Sequence, residues 1–187
     1  VTPGGPLAGV RILEVGTMLA GPYATMLLAD LGAEVTKIEP PGGEISRGVG
    51  PSYFASLNRN KSSECLDLNS DGGQQRLGEL VAESHALLVN LKPSSIRRLG
   101  LTYEALRRHN ERIVCVAITG FGLHGGDDPA FDYVVQASTG IAALTGDPEC
   151  ARRWGCWPRS SPARAGRWMC RCARSCCHNS TTTPRHT

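Results

Sequence analysis

Apolar and polar positions along this chain change period several times, and each change marks an element. Val10 to Val15 is a β-branched and aliphatic run that predicts a buried strand. Gly16 and Gly21 bracket a turn, and Pro22 suits the first turn of a helix. Ala24, Leu27, Leu28 and Leu31 follow at helical spacing and form one apolar stripe. Gly32 is a natural helix stop, and Glu34 to Ile38 predicts a second strand ended by Pro40 and Pro41. Glu64 to Leu68 predicts a short strand, and Ser70 or Asp71 then caps a helix with Leu77, Leu80 and Val81 on one face. Ala86 to Asn90 predicts another strand, Ser94 to Leu99 a short helix ending at Gly100, and Thr102 the cap of a helix from Tyr103 to Arg108. Ile113 to Thr119 is a strongly apolar strand followed by a loop over Gly120 to Asp128, and Asp132 to Gly140 opens one more helix. Strands alternating with helices imply an α/β domain with a largely parallel sheet.

Composition changes this picture in one place. The 187 residues suit one domain, and a mean hydropathy of −0.18 fits a soluble globular chain. No apolar run reaches the roughly 20 residues needed to span a bilayer. No basic patch precedes an apolar core at the N-terminus, so the expected setting is the cytoplasm, with no membrane partner. The net charge of +3, however, averages two unlike regions. Up to Glu149 acids and bases are interspersed. From Cys150 onward there is no Asp, Glu, Lys, Leu, Ile, Val, Phe or Tyr; Arg is the only fully charged residue, and all three tryptophans and most cysteines lie there. Without aliphatic residues that stretch cannot bury enough apolar area to offset the entropy of ordering itself. Two regions are therefore expected: 1–149, the folded domain, and 150–187, an Arg/Cys/Trp-rich tail that is disordered or non-native.

Chemistry concentrates at the first turn. Gly16 to Gly21 stands where a dinucleotide fold carries G-x-G-x-x-G, but only the outer glycines are present. Close approach to a pyrophosphate needs the central one, so NAD is not expected. What remains is a plain strand-to-helix turn, or a turn in which Leu19 and Ala20 present backbone and a small apolar surface to a ligand.

The run A-G-P (Ala20, Gly21, Pro22), then L-A-D-L-G-A-E-V (Leu28 to Val35), then K-I-E-P-P-G-G (Lys37 to Gly43) with Arg47, resembles the class III CoA-transferases, which include the α-methylacyl-CoA racemases. N-R-N-K-S (Asn58 to Ser62), L-D-L (Leu66 to Leu68), N-L-K-P (Asn90 to Pro93), R-R-L-G (Arg97 to Gly100), T-G-F-G (Thr119 to Gly122) and F-D-Y-V-V-Q-A-S-T-G (Phe131 to Gly140) follow in the family's order. The resemblance implies a Rossmann-like large domain that holds coenzyme A, and an interlocked homodimer. It also implies an aspartate nucleophile that moves CoA between an acyl-CoA thioester and a carboxylic acid through an acyl-aspartyl anhydride, splitting one hard transfer into easier ones.

Carried over residue by residue, the resemblance places Asn90, Leu91 and Arg98 where the family contacts CoA. The Arg98 guanidinium suits a phosphate oxygen, although a solvated helix end accounts for it equally well. Ala20 matches the small residue beside the nucleotide, with Leu19 next to it. Lys61 is either a phosphate-binding or a structural or surface lysine. Pro40 replaces an arginine and Asn69 a lysine found in some members, and both changes weaken CoA binding. Asp132 is the candidate catalytic acid, with the helix N-cap as its favoured alternative. The racemase branch has a histidine before this aspartate; Phe131 cannot carry a proton, which puts a racemase-like reading second.

The family nucleophile is expected shortly after Thr145 to Pro148, yet no Asp follows Asp147. The chain is thus expected to be a truncated, inactive transferase, or a non-enzymatic CoA- or partner-binding remnant with uncovered apolar surface. Cys170, Cys172, Cys176, Cys177 and His178 lack C-x₂-C spacing, so no metal is expected. An Arg/Trp-rich tail with no folded module gives no reason to expect nucleic acid.

The genetic code offers an account of the tail. Trp168-Met169-Cys170 must be encoded TGG-ATG-TGY, and two bases on the same DNA reads Asp-Val, preceded by Leu, Met or Val and followed by Ser or Pro. The family typically continues with V-D-V-S or V-D-V-P. A disrupted reading frame near Cys150 is the resulting hypothesis. Resequencing the coding region should reveal it; closely related genes carrying the same Arg/Cys tail in one intact frame would rule it out.

Overall fold

The computed structural model describes residues 4–141, which fall into two units meeting at Asp128 and Pro129. The boundary expected at Glu149–Cys150, the Thr145–Pro148 segment and the whole Arg/Cys/Trp tail lie outside the described residues.

The first unit is an α/β layer built on five parallel strands. Its elements are β1 (Arg11–Val15), α1 (Ala20–Asp30), β2 (Glu34–Glu39), a 3₁₀ turn (Ile45–Gly48), α2 (Pro51–Asn58), β3 (Lys61–Cys65), α3 (Asp71–Glu83), β4 (Ala86–Val89), α4 (Pro93–Arg98), α5 (Tyr103–Leu106) and β5 (Val114–Ala117). The strands run β3-β2-β1-β4-β5, all pairs parallel, with Leu13 beside Thr36 on one side and Leu87 on the other. The chain builds outward from β1 to β3, then crosses back to β4. The order therefore reverses between β1 and β4, where open α/β sheets leave a ligand crevice at the strands' carboxyl ends.

Alternation along the strands sorts the core into two layers. Leu13, Val15, Leu87 and Val89 point to one face and pack with Leu77 and Val81 of α3, Ile96 of α4 and Leu106 of α5. Ile12 and Val35 point to the other and meet Ala29 and Ala33 at the end of α1. β5 leaves Val114 and Val116 exposed. Local signals work as the sequence suggests: the Ser70 hydroxyl accepts from the Gly73 N–H, the Thr102 hydroxyl from the Ala105 N–H, and Gly32 ends α1 at φ 102°.

Three local differences from the sequence reading have physical causes. The third strand is Lys61–Cys65 rather than Glu64–Leu68. It is a polar edge strand held by backbone pairing to β2, and the apolar Leu66 and Leu68 belong to the turn after it, with Leu68 dropping into the core. The 3₁₀ turn and α2 were not foreseen, because a stretch rich in Gly, Ser and Asn carries little helical periodicity. α1 begins at Ala20, two residues before Pro22.

The second unit, in its described part, contains α6 (Asp132–Ser138) and a stacked pair of rings, Phe131 and Tyr133, with centroids 5.8 Å apart. No helix among the described residues is long and apolar enough to cross a membrane.

Candidate functional site

The central strand carries the unit's most consequential residue. β1 reads Arg-Ile-Leu-Glu-Val, and Glu14 lies fully buried in it among aliphatic side chains. An isolated buried carboxylate costs several kcal/mol or more, so partners are obligatory. Glu14 has three. The Lys37 ammonium donates to Oε1 at 2.7 Å, the Lys61 ammonium to Oε2 at 2.8 Å, and the Thr25 hydroxyl to Oε2 at 2.6 Å. Burial alone would raise the Glu14 carboxyl, but the two ammonium groups outweigh it and hold it below the ordinary value. Lys61 is shifted down, burial outweighing the carboxylates that face it.

The same lysines tie strand ends to loops. Lys37 also donates to the Gly16 carbonyl at 3.0 Å and lies 3.9 Å from Glu44 Oε2. Lys61 also donates to the Pro22 carbonyl at 2.7 Å and to Asn58 Oδ1 at 3.0 Å. Its three ammonium protons are thus all engaged inside the fold. Two carboxylates, Glu14 and Glu44, meet two ammonium groups, and the cluster is neutral. Beside it, Glu39 receives two bonds from Arg47, at 2.6 and 2.7 Å, and one from Ser63 at 2.5 Å. The Arg47 fork, with help from Ser63 and the Glu44 N–H, holds the Glu39 carboxyl down at about 2.

Above this base lies the switch point of the sheet, at the carboxyl ends of β1 and β4. Asn90, at the end of β4, accepts from the Thr17 N–H at 2.8 Å and donates to the Thr17 carbonyl at 2.9 Å, so its amide pairs with the turn as a strand neighbour would. The bracketing glycines make room for it: a Cβ at Gly16 would lie 2.8 Å, and at Gly21 2.7 Å, from Asn90 Oδ1. Between them Met18, where a dinucleotide motif has its central glycine, adopts φ 61°. That conformation costs a residue with a Cβ about 1–2 kcal/mol. It is held by the Met18 N–H donating to Glu44 Oε1 at 2.9 Å, and a hydrogen bond to a charged acceptor is worth about 1.5–3 kcal/mol, enough to offset it. Leu19 and Ala20 are exposed at the head of α1, whose first turn has neither a side-chain cap nor an acid. Such a helix end suits an anion.

The structure therefore places Asn90 against Thr17 and Gly21, with Leu19 and Ala20 exposed between those two positions in the chain. Leu91 follows Asn90 but packs, half-buried, against the core. Arg98 is elsewhere. It donates to Asn69 Oδ1 in an open cleft of about 350 Å³ that also contains Arg97 and Gln74. No hydrogen bond joins Arg98 to the crevice residues among those described. Pro40 lies beyond β2, in the turn leading to Gly42 and Gly43. Asp132 belongs to the second unit, and the favoured cap reading for it is corrected. Phe131, with extended backbone, is the N-cap; Asp132 is already helical, exposed, and accepts from Gln136 Nε2 at 2.6 Å. Among the described residues no three His, Cys, Asp or Glu side chains converge as a metal site would require.

Comparison with known proteins agrees with this fold. The profile of CoA-transferase family III matches residues 7–174. The chain belongs to that family. It is 36% identical to a succinate–glutarate CoA-transferase of Agrobacterium fabrum, an alignment covering 77% of this chain and 40% of the relative. It is 38% identical to an acetyl-CoA:oxalate CoA-transferase of Acetobacter aceti, over 79% of this chain and 40% of that one. A crystal structure of a Mycobacterium tuberculosis protein superposes with a TM-score of 0.72 at 35% identity, over 78% of this chain and 43% of that one. A Brucella suis CAIB/BAIF family protein superposes at 0.71 with 30% identity, over 94% of this chain and 50% of that one. The chain spans about two-fifths of the length of these curated CoA-transferases.

Glu14, Lys37, Glu39 and Glu44 are the residues that sequence reasoning passed over as participants in the site. The signal was available: a charge inside an otherwise aliphatic parallel strand must be paired, because such strands are buried on both faces. Two outcomes follow from the pairing. Lys37→Met leaves the Glu14 carboxylate with one cation, and urea unfolding should show a loss of about 3–5 kcal/mol. Glu39 titrates lower in the folded chain, near 2, than its ordinary 4.5. Its stabilisation is therefore complete above the ordinary value and is lost as pH falls from there toward 2. Urea midpoints measured across that window should fall with acid, and the fall should be shallower in Arg47→Leu.

Proposed function

We propose that this chain is the CoA-holding part of a family III CoA-transferase, with CoA taken up at the carboxyl ends of β1 and β4. The observation that carries the reading is the set of groups gathered at the sheet's switch point. There the uncapped start of α1, the exposed Leu19–Ala20 turn and Asn90 converge, with Arg98 and Asn69 in a second polar cleft. Backbone N–H groups at the helix start supply donors for phosphate oxygens, and Arg98 supplies a planar cationic fork. The small Ala20 leaves space for the carrier beside the turn, and Leu91 supports Asn90 from the core. In the overall transfer CoA leaves the donor thioester, whose acyl group departs as a free carboxylate, and the acceptor acid leaves as the new acyl-CoA.

In the family's reaction we infer an acyl-aspartyl anhydride: the aspartate carboxylate displaces CoA thiolate from the donor thioester, and the thiolate attacks the aspartyl carbonyl and expels the donor as a carboxylate. The acceptor carboxylate then displaces CoA thiolate from the aspartyl thioester, and the thiolate attacks the acceptor carbonyl of the new anhydride, giving the acceptor thioester and freeing the aspartate. Asp132 is the described acid nearest in sequence to where that chemistry belongs. It is engaged with Gln136 and exposed, and no aspartate follows Asp147. The 187-residue chain by itself therefore binds CoA without completing the transfer. Titration calorimetry of the full chain with CoA should show saturable binding that Arg98→Ala and Asn90→Ala weaken. Mass spectrometry after incubation with succinyl-CoA should show no acyl adduct. Absence of CoA binding would remove the assignment, and a hydroxylamine-sensitive acyl adduct would remove the claim of inactivity.

A further inference from the structure

We infer that Glu44 is a positioning residue: from beneath the crevice it fixes the Thr17–Leu19 turn in the form that receives CoA. The inference rests on the CoA reading above, and it concerns a buried side chain that does not itself face the ligand. Glu44 comes from the loop after β2, turned back by Gly42 and Gly43, both at positive φ (93° and 86°). Its own N–H donates to Glu39 Oε2 at 3.0 Å, which anchors the loop to the Glu39–Arg47 pair. Its Oε1 accepts from the Met18 N–H at 2.9 Å and the Ser46 N–H at 3.0 Å, and its Oε2 accepts from the Ser46 hydroxyl. Lys37 at 3.9 Å supplies the compensating charge, and Lys37 also grips Gly16, two residues before Met18.

Packing does not explain why Met18 adopts a backbone shape that disfavours any residue with a Cβ, because its side chain reaches out to solvent, 37% exposed. The hydrogen bond of its N–H to Glu44 does. Thr17 is held on the other side by Asn90. The two carboxyl-end loops flanking β1 in space thus grip adjacent residues of one turn, and the turn's next residues are Leu19 and Ala20. Capping of the 3₁₀ turn through Ser46 would by itself be a purely local role for Glu44. The bond to Met18 spans 26 residues and reaches the crevice.

The test is a cycle on the full chain: wild type, Glu44→Ala, Glu44→Gln, Met18→Gly and the Glu44→Ala/Met18→Gly double variant. CoA affinity is read by calorimetry, protection of the Thr17 and Met18 amides by hydrogen exchange, and folding by urea titration. Glu44→Ala should weaken CoA binding about tenfold, the equivalent of one hydrogen bond to a charged group, and should release the Met18 amide. Glu44→Gln retains an acceptor and should bind more tightly than Glu44→Ala. The double variant should recover most of the affinity without recovering stability, because glycine takes φ near 60° with no Cβ penalty. A purely structural glutamate would lower stability and affinity together and gain nothing from Met18→Gly. If wild type binds CoA and Glu44→Ala binds equally well, or the double variant is no better than Glu44→Ala, the inference is overturned alone. If wild type binds no CoA, the functional reading fails instead. In that case unchanged Met18 protection in Glu44→Ala also overturns the role in the turn, and lost protection restored by neither partner variant confines that role to folding.

Discussion

A carboxylate buried in the middle strand of a parallel sheet constrains everything around it. Glu14 can remain ionised there only with Lys37, Lys61 and Thr25 in place. These groups come from β2, from β3 and from α1, the two strands on one side of β1 and the helix that follows it. Each ammonium group then has further bonds to give, and they go to the carbonyls of Gly16 and Pro22, on either side of the first turn. One unavoidable electrostatic requirement therefore also aligns three strand ends with one loop. A purely aliphatic replacement could hold the sheet as well, but it would leave those carbonyls unclaimed and the turn free to choose its path.

The turn is the other half of the construction. A dinucleotide-binding turn achieves close backbone approach with a central glycine; here Met18 occupies that place and reaches a glycine-like φ because Glu44 holds its N–H. Asn90 occupies the space that the flanking glycines leave open. The crevice is thus narrowed by a side chain from the opposite strand. It offers a helix start and a small residue at position 20 rather than a glycine-lined slot for a pyrophosphate. That is a different arrangement from a dinucleotide-binding turn on the same sheet topology.

The sequence disclosed the elements whose signals are local. The aliphatic β1, β2 and β4, the Ser70 and Thr102 caps and the Gly32 stop all act over a few residues, and the structure places them within a residue or two of where they read. β3 was misplaced because an edge strand held by backbone pairing needs no apolar alternation; Leu66 and Leu68 mimicked one just downstream. In the site, the family resemblance singles out Ala20 and Asn90; the structure puts Asn90 against Thr17 and Gly21, one residue from Ala20. A structural role for Lys61 was among the readings the sequence left open, but its partners were not legible, since they lie 3, 39 and 47 residues away. Glu44 was invisible for the same reason. Nothing adjacent to it announces a bond to Met18, which arises only when two strand ends lie side by side.

The reach of this network along the chain follows from the same topology. Every group that shapes the crevice lies between Glu14 and Asn90, on strands that pair directly with β1 or one strand beyond. The first four strands complete that end of the sheet without help from later chain. That end of the sheet keeps its electrostatic reason to fold whatever reaction the chain takes part in, because the buried Glu14 carboxylate must be neutralised.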